Sequence, residues 1–197
     1  RGFTYFDTAW MYCSGKSEEA TKEFLVDRYP RDSFTLTTKL PSYMLKCEAD
    51  RDKIFNEQLR RTGAGYFDYY LLHNVYEKSA EVYMDEKWGI IDYFKEQKRL
   101  GRIKHLGFSA HAELKGLKEF LDVCGDDMEF CQIQLNWLDW TLQNARRKVD
   151  MLNKRGVAVW VMEPVRGGKL CQLQPEHEQI LSSLHPDWTL PQWAFRF

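Results

Sequence analysis

The chain has 197 residues, enough for one domain with a sizeable core or for part of a larger barrel. Its 28 Lys plus Arg stand against 29 Asp plus Glu, which excludes the charge excess of a nucleic-acid or anionic-membrane binder. Hydrophobic residues at 44% and aromatics at 15% exclude a disordered chain. No apolar run approaches the roughly 20 residues that cross a bilayer, and no signal peptide opens the sequence. Cys13, Cys47, Cys124, Cys131 and Cys171 are scattered, odd in number and without CxxC spacing. That usage points to a reducing, cytoplasmic setting and to no metal cluster.

Along the chain, short apolar runs alternate with amphipathic ones. Phe3–Asp7 reads as a strand, then Ser17–Arg28 as a helix. Ser33–Lys39 is the second strand, followed by a helix over Ala49–Thr62. Phe67–His73 is the third strand, and Asp85–Leu100 the next helix, where Trp88, Ile91 and Phe94 share one face. Ile103–Ser109 precedes a helix over Ala112–Cys124. Glu129–Asn136 precedes a helix over Leu142–Arg155, and Val157–Glu163 is the last strand. Gly101 and Gly156 stand just past two helices, where a left-handed C-cap is expected. Such β-α alternation predicts one α/β unit with a parallel sheet, undivided by any linker. Periodicity does not choose between a doubly wound sheet and a closed (β/α)8 barrel, but strand-end residues do. Asp7, Lys39, His73, Ser109, Asn136 and Glu163 lie at or near the carboxyl ends of six different strands. A barrel gathers such residues in one ring, whereas a doubly wound sheet usually carries a Gly-rich first turn that is absent here. The expected fold is a barrel.

Three successive strand ends and one loop hold a set fitted to carbonyl chemistry. Reduction by hydride needs a proton donor for the developing alkoxide. Tyr12 offers a phenol, whose ordinary pKa is about 10, so a cation must favour its ionised form. Lys39 supplies that cation, Asp7 holds the lysine, and His73 hydrogen-bonds the substrate oxygen. Any one of these residue types alone is more often structural; the joint placement is what argues for chemistry.

Five stretches carry a family resemblance. They are Phe6-Asp7-Thr8-Ala9 with Tyr12, Gly15 and Ser17-Glu18-Glu19; Thr37-Thr38-Lys39; Leu59-Arg60-Arg61-Thr62-Gly63; Phe67-Asp68-Tyr69-Tyr70-Leu71-Leu72-His73; and Gly101-Arg102-Ile103-Lys104-His105-Leu106-Gly107-Phe108-Ser109. In order and spacing the chain resembles the aldo-keto reductases. The resemblance implies an α/β fold, a (β/α)8 TIM barrel, with residues 1–197 as one partial domain holding barrel strands two to seven. Strands one and eight have no counterpart. It implies an NAD(P)H-dependent oxidoreductase reducing aldehydes or ketones, with Tyr12 as acid, Lys39 and Asp7 tuning it, and His73 orienting substrate.

For the cofactor, NADP or NAD, the resemblance implies Ser109 and Gln132 at the carboxamide. Ala110-His111 follow Ser109 where the family commonly has Asn. Met162 stands where many members stack a tyrosine beneath the nicotinamide. Pro164, Val165, Gly167 and Gly168 fall where the family wraps the pyrophosphate, with Arg166 or Lys169 adding charge. Val161-Met162-Glu163-Pro164-Val165-Arg166-Gly167-Gly168 further resembles a bacterial and archaeal subgroup that often carries a C-terminal ferredoxin-like extension. Trp10, Met11, Asn74 and Trp137 are candidate pocket residues for a small carbonyl substrate. Two alternatives stay open: a cofactor-sensing or regulatory subunit on the same fold, and a hydrolase barrel, which no metal-ligand cluster or Ser-His-Asp order supports.

Overall fold

The computed structural model of the protein describes residues 2–197. Six strands form one sheet: β1 Tyr5–Asp7, β2 Thr35–Leu40, β3 Phe67–Val75, β4 Ile103–Ala110, β5 Phe130–Gln134 and β6 Ala158–Met162. They pair in chain order, and every pair is parallel. All six expected strands are present, with ends moved by a residue or two. The sheet is the arc of six consecutive strands of a (β/α)8 barrel.

The connecting segments follow the expected alternation with more breaks. A single turn, α1 Tyr12–Gly15, leads into α2 Ser17–Thr21. The expected Ser17–Arg28 helix does not run through as one α-helix: Lys22–Val26 closes in a wider π-type turn, with the Asp27 N–H donating to Lys22 O at 2.9 Å. α3 Ala49–Thr62 matches its expectation residue for residue, with Asp50 and Asp52 in the first turn and Arg60 and Arg61 in the last. α4 Glu77–Met84 lies in a stretch left without an element by the sequence reading. The expected Asp85–Leu100 helix divides into a short 3-10 turn, Glu86–Trp88, and α5 Ile90–Arg99. Gly89 between them is left-handed at φ 51°, a conformation that glycine takes at little cost, and the helix breaks there.

α6 Leu114–Cys124 starts three residues after β4, a little later than Ala112. The expected Leu142–Arg155 helix is α8 Ala145–Lys154, opened by left-handed Asn144 and preceded by a separate short turn, α7 Asp139–Leu142. Two further helices, α9 Pro175–Leu184 and α10 Leu190–Arg196, each open with proline in the first turn. Gly101 and Gly156 follow α5 and α8 with φ of 72° and 71°, as the capping expectation required. No described helix is long and apolar enough to cross a membrane, and no group of three or more His, Cys, Asp or Glu suited to a metal occurs among the described residues.

Strand periodicity divides the sheet into two unlike faces. On the outer face Leu36, Tyr70, Leu72, Leu106 and Phe108 join Phe55 and Phe94 of the helices in one buried cluster. Phe94 is fully buried, stacked on Tyr70 with ring centroids 4.5 Å apart and edge-on to Phe55 at 5.7 Å. The inner face is aromatic and polar. Trp160 of β6 meets Phe130 at 4.3 Å, Tyr69 at 4.6 Å and Tyr5 at 5.4 Å, so side chains of β1, β3, β5 and β6 converge over the concave surface. Gly107 lets β4 and β5 close to this distance, because a Cβ there would lie 2.5 Å from Phe130 O.

Truncating Phe94 to Ala removes the ring at the centre of the outer cluster. We expect a loss of about 3–5 kcal/mol in unfolding free energy by urea titration. The exposed Phe195→Ala control should change little. A loss below about 1 kcal/mol for Phe94→Ala would mean that the cluster does not carry the fold.

Candidate active site

Alternation puts Lys39 on the concave face. Thr38, its neighbour, turns outward to bond Glu18, so Thr37 and Lys39 point inward. The same rule sends Tyr70 and Leu72 outward and His73 inward on β3, and Phe6 outward and Asp7 inward on β1, where Phe6 packs on Phe34 at 6.1 Å. Lys39 is 1% exposed, and its ammonium pairs with Asp7 Oδ1 and donates to Thr8 O at 2.9 Å. Asp7 Oδ2 also accepts from the Tyr5 hydroxyl at 3.0 Å and lies 3.4 Å from the Gln132 amide nitrogen.

Tyr12 stands over this pair. Its ring centroid is 4.8 Å from Lys39 Nζ and 6.0 Å from the His73 ring, which it meets edge-on. The sequence-predicted quartet Asp7, Tyr12, Lys39 and His73 therefore forms one cluster at the carboxyl ends of β1 to β3. Burial and the Lys39 charge push the His73 imidazole down to about 4, so it is neutral at neutral pH. Its Nδ1 is buried without a protein partner. The His73 carbonyl is fixed from behind by the buried Tyr83 hydroxyl at 2.9 Å, which donates to Leu40 O at the same distance.

Behind the quartet lies a polar network that the sequence reading missed. Glu18 is fully buried; it accepts from Thr38 Oγ at 2.7 Å and Gln58 Nε2 at 2.9 Å, and pairs with Arg61 at 3.1 Å. Gln58 Nε2 also donates to Lys39 O at 2.9 Å, while Gln58 Oε1 accepts from the Tyr70 hydroxyl at 2.6 Å. Arg61 donates to Gly15 O and lies over the Trp10 ring at 4.6 Å. Burial pushes the Glu18 carboxyl up, opposed by Thr38, Arg61 and Gln58. The available signal was polar Gln58 and Arg61 one helical turn apart on α3, on the face carrying Phe55.

The remaining expected positions spread around the same rim. Ser109 is buried at the end of β4 and accepts the Asn74 N–H at 2.8 Å; Gln132 is next to it in register on β5. Met162 ends β6 opposite Gln134, half-buried. Beyond it Glu163, Arg166, Gly167 and Gly168 all take positive φ, coiling Pro164 and Val165 into a tight loop with Gly168 N–H to Val165 O at 3.0 Å. Asn136, read from sequence as one of the rim residues, is instead buried and structural: its amide donates to Glu163 O at 2.9 Å and to Asp139 at 2.7 Å. Fully buried Asp139 holds Arg166 Nε at 3.0 Å. Trp10 is taken up by Arg61, and Met11 is exposed. Trp137 lines an apolar groove of about 750 Å³ with Ile180, Trp188, Trp193 and Phe197.

The model of the aldo/keto reductase family matches residues 1–189. No curated protein matches the chain significantly. An aldo/keto reductase structure from Brucella melitensis is 25% identical with a TM-score of 0.75, over 99% of this chain and 69% of that one. The holo form of an aldo-keto reductase from Bacillus halodurans is 26% identical with a TM-score of 0.69, over 89% of this chain and 57% of that one. An aldo-keto reductase from Klebsiella pneumoniae, solved in complex with NADPH, is 19% identical with a TM-score of 0.68, over 96% of this chain and 63% of its own. The chain thus spans between 57% and 69% of the lengths of these structures. The parallel arc, its ring of polar strand ends and the family match over nearly the whole sequence agree: this chain belongs to the aldo/keto reductase family.

Proposed function

We propose that the protein reduces aldehydes or ketones to alcohols with NADPH, or with NADH, using Tyr12 as general acid. The observation that carries this reading is the Tyr12 ring lying 4.8 Å from the ammonium of a buried, Asp7-paired Lys39, with His73 at its edge. The Klebsiella relative was solved with NADPH, which favours the phosphorylated cofactor. The rim suits a dinucleotide: the coil from Glu163 to Gly168, with Glu163, Arg166, Gly167 and Gly168 left-handed, presents backbone, and nothing lies within 4 Å of a Cβ built on Gly167 or Gly168. Ser109 and Gln132 would hold the carboxamide, Met162 would pack on the ring, and Pro164, Val165, Gly167 and Gly168 would line the pyrophosphate. Arg166, held through Nε by Asp139, would add charge from its other guanidinium nitrogens.

The bound nicotinamide supplies hydride. Every other part falls to the side chains. Neutral His73 donates one N–H to the carbonyl oxygen and fixes its direction. Tyr12 gives its phenolic proton to the oxygen as negative charge develops there. Lys39 stabilises the phenolate left behind, and Asp7 keeps the ammonium under the ring. The tyrosine regains its proton from water when the alcohol leaves. Turnover also separates this reading from a cofactor-sensing subunit on the same fold.

In the full-length protein Tyr12→Phe should lower kcat for aldehyde reduction by about 10²–10⁴-fold, with NADPH still quenching intrinsic fluorescence. A variant that keeps wild-type turnover with chemistry rate-limiting removes Tyr12 from the role. Lys39→Met should move the pH–rate profile of alcohol oxidation to higher pH, since the cation favouring the phenolate is gone; an unmoved profile would sink the pairing. His73 has its imidazole pushed down to about 4, so no histidine limb should appear near pH 6.5 in kcat/KM for reduction. A limb there that vanishes in His73→Gln would show a protonated imidazole at work.

A further inference from the structure

We infer that the buried network joining Arg61, Glu18 and Gln58 sets the position of Tyr12 relative to Lys39, which makes Arg61 a positioning residue for the acid. The inference rests on the function proposed for Tyr12. The phenol is poorly located by its own packing. Tyr12 is 41% exposed, and its hydroxyl makes no hydrogen bond among the described residues. The two residues after it, Cys13 and Ser14, hold left-handed φ of 53° and 55°, a conformation that β-carbon-bearing residues keep only when their surroundings impose it.

Arg61 is what imposes it. Its guanidinium donates to Gly15 O on the far side of Tyr12 and covers the Trp10 ring on the near side. One rigid fork therefore grips the loop at both ends. The fork is itself fixed by Glu18, which is fully buried. Glu18 then reaches the strand that carries the cation: Thr38 donates to it at 2.7 Å, and Gln58 bonds both Glu18 and Lys39 O at 2.9 Å. Tyr70 fixes the remaining end of Gln58 at 2.6 Å. A continuous path, hydrogen bonds joined by the Arg61–Glu18 ion pair, thus runs from the backbone beside the acid to the backbone of the lysine. No member of it is among the four clustered side chains.

Direction is the reason for building this from polar groups. An apolar contact between α3 and the loop would tolerate sliding, whereas a buried carboxylate bonded by Thr38 and Gln58 and paired with a guanidinium is destabilised when those partners move. Any shift of the loop leaves Arg61 or Glu18 short of a partner, so the loop conformation is held to that geometry.

The deciding variant is Arg61→Lys in the full-length protein. It keeps the positive charge but lacks the fork that spans Gly15 O and Glu18. For folded enzyme, kcat for aldehyde reduction should fall about tenfold to 10²-fold, with KM for NADPH unchanged and the alcohol-oxidation profile moved to higher pH. Gln58→Leu alters no charge and cuts the arm to Lys39 O, and it should move the profile in the same direction. A second readout needs no turnover: the Tyr12 ring resonance in tyrosine-labelled protein, assigned with Tyr12→Phe, should change its chemical shift in both variants relative to wild type. If both variants lose thermal stability yet keep the wild-type resonance position and pH profile, the network only staples α2 to α3 and the inference is overturned. A wild-type protein without carbonyl turnover would instead overturn the proposed function, while the resonance position still decides the positioning.

Discussion

A lysine ammonium with almost no access to water has to be paired, and the pairing of Lys39 with Asp7 organises much of the inner rim. Removing one partner from a buried pair typically costs about 3–5 kcal/mol, because the other charge is left uncompensated. The parallel ladder brings the two residues to adjacent strands: Asp7 is in register with Thr37, two residues before Lys39. The ammonium has three hydrogens, and Asp7 with the Thr8 carbonyl takes two of the directions available to it. The Tyr12 ring lies 4.8 Å from the same nitrogen. Asp7 in turn collects Tyr5 and Gln132. A single ion pair thereby ties β1, β2 and β5 to the loop after β1.

The two faces of the sheet solve different problems. Outside, aromatic and branched residues exclude water and hold the helices, and the one polar inclusion there, around Glu18 and Gln58, has partners from four segments of chain. Inside, Tyr5, Tyr69, Phe130 and Trp160 fill the lower part of the arc with rings in edge and stacked contact. The charged and polar groups lie above that layer, at the carboxyl ends of the strands. A cation in this position has a low-dielectric floor beneath it, which strengthens its action on whatever stands above.

Much of this was legible in the sequence. Six strands and their parallel order follow from short apolar runs separated by amphipathic ones, because a sheet covered on its outer face needs exactly such runs at helix-length spacing. The quartet was legible because each member ends or follows a strand. Less legible were the breaks at Gly89 and Asn144, where the apolar period continues across a residue that the backbone turns left-handed. At the first, Arg51 reaches across from α3 to donate to Trp88 O, a contact between segments far apart in the chain. Asn136 misled for a related reason. A polar residue at a strand end looks the same in sequence whether it faces a ligand or caps the next turn, and here its side-chain Oδ1 accepts the N–H groups of Leu138 and Asp139.

The loop after β6 shows how such a structural residue still bears on the rim. Glu163 and Arg166 are not glycines, yet both sit at positive φ, 60° and 46°. Each such residue costs of order 1–3 kcal/mol and persists only where its surroundings over-determine it. Asn136 holds the Glu163 carbonyl, and Asp139, fully buried, holds Arg166 by Nε. The two anchors grip the two strained residues, so the turn between them has little freedom to relax. Asn136 and Asp139 also bond each other, which makes the pair one unit contributed by the end of β5 and the start of α7. The loop is therefore shaped by its neighbouring βα unit rather than by its own sequence. That explains why its glycines were readable in sequence while the geometry they serve was not.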